Sequence, residues 1–256
     1  MAVDLSEPTP SLRGNAIADD QPGLAHWRFW GTLVWGIVIA IMFFASQAIG
    51  ALIVVAFRYG FDLKRLHEWV KDGDVLAASA IGGAVGCIGA IVCAIRLKKG
   101  AAIAEYLRLK RIKLRIFFKW LGIFVIFLIA SDLLDYYFPH PADSDFMVDA
   151  YKTADPLWVL WFAVIVAAPL SEEILFRGFL FRGFETSFLG PIGAIIVTAS
   201  AWALLHLQYD AYAMGIIFAL GLLFGAARRD SDSLLLPLTF HILQNLLATA
   251  STAILR

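Results

Sequence analysis

An all-α fold, a polytopic helical membrane protein with about seven transmembrane helices, is what this sequence predicts. Three observations carry that expectation. Hydrophobic residues occupy 60% of the 256 positions, where soluble domains have roughly 45–50%. Several apolar runs reach the ~20 residues that a helix needs to cross a bilayer. The charges, 21 Lys and Arg against 21 Asp and Glu, cancel in total but sit in blocks between those runs. Nothing in the pattern suggests nucleic-acid binding, so no nucleic acid is expected as a partner.

Residues 1–26, with three prolines and no basic leader, read as a disordered cytoplasmic tail. Segment one runs from about Phe29 to Phe57, with Trp27, Trp30 and Trp35 as an interfacial anchor. Residues 58–74 form a mixed-charge loop. Segment two, about Val75 to Ile95, carries Gly82 and Gly86 in a GxxxG that lets another helix approach closely. Its Cys87 and Cys93 read as small buried hydrophobes, with neither disulfide nor metal spacing. Residues 96–115 hold eight Lys and Arg against Glu105 alone. By the positive-inside rule this basic loop is cytoplasmic. Segment three, about Ile116 to Phe138, leads to an acidic outer loop. These helices make up an N-terminal membrane region, 27–155.

Residues 156–256 are the catalytic region. Segment four starts near Pro156 and continues to the breaker pair Gly190-Pro191. Segment five spans about Ile192 to Leu207. Segment six spans about Ala211 to Ala227, with Arg228-Arg229 at the cytoplasmic side. Segment seven spans about Leu234 to Leu255. The chain is thus an integral membrane protein with its N-terminus in the cytoplasm.

The chemistry sits in segment four, in Ser171-Glu172-Glu173-Ile174-Leu175-Phe176-Arg177, which follows a charge-free run from Trp158 to Ala168. A charge at bilayer depth costs at least ~2.5–3.5 kcal/mol, so such residues are functional candidates by default. His206 and His241 also fall within apolar helices, whereas His26, His67 and His140 belong to tails or loops. Glu172 and His206 each lie 17 residues from Leu189, about 25 Å along either arm of a helical hairpin. His241 reaches a similar layer from the start of segment seven. Glu173 and Arg177 are i and i+4 in the favourable order for an ion pair. That leaves Glu172, about 100° away, to face a cavity. His241 and Asn245 share a face and can offer donors to an oxyanion. Pro169 removes a backbone hydrogen bond in the turn before the glutamates. The set describes hydrolysis by activated water. A zinc site of Glu172, His206 and His241 is open in principle, but HExxH spacing is absent, and no metal or other cofactor is the preferred reading.

These residues resemble the CAAX protease and bacteriocin-processing family of intramembrane endopeptidases, which includes the type II CAAX prenyl endopeptidase. Glu172-Glu173-Ile174-Leu175-Phe176-Arg177 is similar to its Glu-Glu-x-x-x-Arg motif. Trp202-Ala203-Leu204-Leu205-His206 is similar to its aromatic-x-x-x-His motif, in which phenylalanine is commoner than tryptophan. His241-Ile242-Leu243-Gln244-Asn245 is similar to its His-x-x-x-Asn/Asp motif. The resemblance implies a glutamate-type peptidase with a conical catalytic cavity open to the cytoplasmic side. It implies Glu172 as the activating base, His206 as its partner and His241 with Asn245 as the oxyanion site, with Glu173, Arg177 and Trp202 in support. It further implies a membrane-embedded or lipidated peptide or protein tail as substrate, and a bacterial inner membrane as the location. The alternatives are a non-proteolytic scaffold or bacteriocin self-immunity protein of the same family, and a transporter, which would need a second polar half that the sequence lacks.

Overall fold

The computed structural model describes residues 26–138 and 145–254. The expected disordered tail, apart from His26, and the centre of the acidic loop lie outside the described residues. The described chain is helical throughout: α1 (Phe29–Tyr59), α2 (Leu66–Lys71), α3 (Gly73–Leu97), α4 (Ile103–Tyr106), α5 (Leu114–Tyr137), α6 (Asp145–Thr153), α7 (Leu157–Glu185), α8 (Gly190–Leu204), α9 (Ala211–Ser231) and α10 (Leu235–Ile254).

Local chemistry sets the boundaries. The α1 helix stops at Gly60, whose φ of 57° is a left-handed cap. Asp72 starts α3 by accepting the Asp74 and Val75 amides at 2.8 and 3.0 Å. Asp210 caps α9 through the Ala213 amide at 2.8 Å. The α7 helix is continuous but not uniform. Two π-helical stretches, Ala163–Ala167 and Ile174–Leu180, flank one α-helical turn, Ala168–Glu173. The first abuts Pro169, which has no N–H to donate into an α-helical ladder, and π turns concentrate at functional sites.

Five helices, α1, α3, α5, α7 and α9, are long and apolar enough to cross a membrane. Large side chains such as Ile41, Phe44 and Ile126 point outward on them, where lipid is the solvent. The other two rods of the expected seven differ. The α8 helix, at 15 residues, is about 22 Å long and falls short of the ~30 Å hydrocarbon core. The α10 helix dilutes its apolar face with His241, Gln244 and Asn245. Where a loop was expected after segment three, α6 forms instead and packs Ala150 against Gly73.

The bundle has two distinguishable ends. At the basic end, Trp27 Nε1 donates to Ala94 O at 2.9 Å, and Lys110 Nζ and Arg108 Nε meet Asp232 at 2.5 and 3.0 Å. At the far end, Arg58 binds Asp74, Lys71 binds Asp149 at 3.0 Å, and Tyr151 donates to Thr249 O at 3.2 Å. His26 is not in a loose tail. It is 2% exposed, with Nε2 3.0 Å from Thr186 Oγ1.

Candidate active site

The α-helical turn between the two π stretches presents the glutamates on different faces. Glu173 is fully buried, and its Oε1 accepts from Arg177 Nη1 at 2.8 Å. Arg177, equally buried, donates from Nη2 to Gly221 O at 3.2 Å, and its Cζ lies 4.6 Å from the centre of the Trp202 ring. This approach needs Gly221, since a Cβ there would come within 3.0 Å of Ala199 Cβ and 3.2 Å of Trp202 Cε3. Burying two opposite charges is tolerable only when each is paired and hydrogen-bonded. Even so, Glu173 Oε2 and Arg177 Nε have no protein partner.

Glu172 keeps 16% of its side-chain exposure. It lies on the wall of a cavity of about 470 Å³, together with His206 and Asn245. Its Oε2 accepts the indole N–H of Trp202 at 2.5 Å. His241 stands between the carboxylates, with Nδ1 3.0 Å from Glu173 Oε1 and Nε2 3.9 Å from Glu172 Oε2. A carboxylate paired with arginine can only accept, so Nδ1 carries the proton of that bond. Nε2 is the ring nitrogen left to face Glu172.

His206 is placed differently from its expectation. The α8 helix ends at Leu204, three residues before the predicted end, and His206 sits in the turn beyond it rather than inside the helix. Its Nδ1 lies 2.9 Å from Trp202 O. A carbonyl accepts only, so Nδ1 is the protonated nitrogen and Nε2 offers a lone pair. No direct hydrogen bond joins His206 to Glu172 among the described residues; they share the cavity. Asn245 Nδ2 donates to Val164 O at 2.7 Å, which uses one of its two hydrogens.

The geometry thus gathers Glu172, Glu173, Arg177, Trp202 and His241 by direct contact, and adds His206 and Asn245 across a cavity. The alternative zinc set is not gathered: among the described residues no three His, Cys, Asp or Glu side chains are grouped to hold a metal ion. The cavity also runs the wrong way for the expected cytoplasmic opening. Its wall reaches from Glu172 at mid-depth to Leu76, Met147 and Thr252 at the far end. The basic end beneath Glu172 is filled by Phe179, Leu234 and Phe240, all buried. A basic cytoplasmic loop and a cytoplasmic opening therefore exclude one another. Gln47 of α1 lines the same cavity. Its signal was available, as an amide in the middle of an apolar run.

Fold and site together define a polytopic helical membrane protein with a carboxylate–histidine cluster at bilayer depth. Residues 154–247, which hold every residue of that cluster, match the family described as type II CAAX prenyl endopeptidase Rce1-like. A similar protein is an uncharacterized 24.3 kDa protein of Escherichia coli, 34% identical over 82 residues. The match covers 31% of this chain and 37% of that relative. No solved structure matches.

Proposed function

We propose that the chain is an intramembrane endopeptidase that hydrolyses a peptide bond in a membrane-associated peptide or protein tail. One observation carries the reading. Of two adjacent glutamates, Glu173 is buried and paired with Arg177 and His241, and Glu172 faces a cavity within 3.9 Å of a histidine nitrogen. The family match over residues 154–247 supports it.

In this mechanism Glu172 takes a proton from a water molecule as the water oxygen bonds to the peptide carbonyl carbon. The His206 Nε2 lone pair helps hold that water. The resulting oxyanion is met by the second amide hydrogen of Asn245 and by His241, which donates from Nε2 when doubly protonated. Collapse breaks the C–N bond, and the proton on Glu172 passes to the leaving amine. Glu173 and Arg177 fix His241, and Trp202 fixes Glu172. The water is activated without a metal. The membrane assignment extends to a bacterial inner membrane with the basic segment in the cytoplasm.

The test uses proteoliposomes loaded with a mixture of synthetic membrane peptides and read by mass spectrometry. The wild type releases new fragments. Glu172→Gln inserts and folds but releases none, a loss of at least the ~10²–10⁴-fold that a general base contributes. Equal fragments from the variant would overturn the role of Glu172. A chelator leaves the wild-type reaction unchanged, and an activity lost to chelation and restored by Zn²⁺ would overturn the metal-free route.

A further inference from the structure

We propose that the substrate enters the Glu172 cavity from the membrane face opposite the basic segment 96–115, as an uncharged stretch of peptide presented on the outer side. The inference rests on the hydrolase reading only in naming what enters a substrate. Three observations point to it. The first is shape. The cavity is walled by Leu76 near the start of α3, by Met147 of α6 and by Thr252 near the end of α10, all at the far end. Approach from the basic end is closed by the buried layer of Tyr106, Leu107, Phe179, Leu234 and Phe240.

The second is charge. Arg96, Lys99, Arg111, Lys113 and Arg115 are exposed at the basic end. The far end carries Asp72, Asp74, Asp135, Asp149 and Asp155. Membrane proteins keep the Lys- and Arg-rich end in the cytoplasm, because translocating those charges is unfavourable. The mouth of the cavity therefore opens on the outside.

The third is the chemistry of the wall. Above Glu172 its polar groups include Gln47, Gln208, Thr249 and Thr252, and no Lys, Arg or Asp lines it. Amides and hydroxyls can donate to and accept from a peptide main chain. They supply no counter-ion for a phosphate headgroup or a charged side chain, which would be costly to desolvate there.

The experiment expresses the full chain in the E. coli inner membrane and compares Thr252→Cys, Met147→Cys and Lys113→Cys, none of which belongs to the catalytic machinery. A membrane-impermeant maleimide is added to intact spheroplasts and to lysed ones. Cys87 and Cys93, one buried and one within a span, give the background signal. The proposal expects Thr252→Cys and Met147→Cys to react in intact spheroplasts and Lys113→Cys only after lysis. The reverse pattern overturns the side of entry, and labelling of all three on one side overturns the geometry. In a second arm a water-soluble carbodiimide modifies Glu172 in intact spheroplasts, read by mass spectrometry. A bulky maleimide on Thr252→Cys abolishes that modification; unchanged modification would overturn the path. Neither arm reads peptide cleavage, so these results and those with Glu172→Gln fail separately.

Discussion

Two helix contacts in this molecule solve the same problem by opposite means. Where α1 crosses α3, the surfaces that meet are small and neutral. A Cβ on Gly82 would reach 2.5 Å from Ser46 O, and one on Gly83 would reach 2.6 Å from Gln47 Cγ. Where α7 meets α8, α9 and α10, the surfaces meet through ions: Glu173, Arg177 and His241, with the Trp202 ring over the guanidinium. Lipid tails are as apolar as leucine, so burying leucine does not drive helices together in a bilayer. Close van der Waals approach does, and so does a polar group that would otherwise stand alone in hydrocarbon. The first contact is sensitive to volume and indifferent to chemistry. The second is sensitive to the loss of one partner, and it is the one that carries the candidate chemistry.

The largest effect should come from breaking the charged contact on one side. Arg177→Leu leaves Glu173 buried without its partner. That should cost about 3–5 kcal/mol, the range for breaking a buried ion pair. Thermal unfolding in detergent micelles would show it. The double change Glu173→Leu with Arg177→Leu should recover most of that stability, because a buried pair replaced by apolar groups is often neutral. It should not recover activity, because His241 Nδ1 loses its acceptor. If the single variant is as stable as the wild type, the charges do not hold this contact.

Trp202→Phe is a milder cut at the same place. The ring stays, and the indole N–H to Glu172 is lost. A hydrogen bond to a charged group is worth about 1.5–3 kcal/mol. The loss should fall on kcat with KM unchanged, if Trp202 positions the base rather than binding substrate. A rise in KM alone would sink that role.

The neutral contact is tested by adding one carbon. Gly82→Ala pushes Cβ onto the Ser46 carbonyl and should destabilise by about 1–3 kcal/mol, as overpacking does. Gly89→Ala, on the same helix with nothing within 4 Å of its Cβ, should be neutral or stabilising by up to ~1 kcal/mol. Equal effects at the two positions would mean that the crossing is not set by close approach.

These two contacts were legible in the sequence to different degrees, for physical reasons. Spacing is local, and local rules held. The i, i+4 order of Glu173 and Arg177 pointed to an ion pair that the structure has at 2.8 Å, and the GxxxG of Gly82 and Gly86 pointed to a crossing that α1 fills. Depth arithmetic put Glu172 level with the end of segment five, where Trp202 now meets it. What failed was what straight helices cannot show. The π turns around Pro169 and the early end of α8 move His206 into a turn. The donor expected of Asn245 is partly spent on Val164 O, a backbone group no side-chain pattern names. The direction of the cavity was misjudged because it depends on which end of the bundle is plugged, and that is a property of four helices together.

The smallest prediction concerns the basic end, where a residue set aside as part of a tail is built in. His26 is held by Thr186, with its ring 6.4 Å from that of Tyr106. Burial, and then the charges of Arg182, Lys98, Arg108 and Arg28, push its pKa from 6.5 down to about 4. Tyr106 does not titrate in this range, since burial pushes it up to about 12. Between about pH 4 and 6.5 the unfolded chain therefore binds a proton at His26 that the folded chain does not. Stability rises with pH wherever the unfolded state holds more protons. The contribution of His26 docking is complete above 6.5 and is lost as the pH falls toward 4. His26→Gln can still bond Thr186 but does not titrate. Melting temperatures at pH 7.5 and 5 should fall further for the wild type than for this variant. The comparison subtracts the other histidines, which both proteins share. An equal fall in both would mean that His26 is solvated, and that the N-terminal segment lies on the basic end without being anchored there.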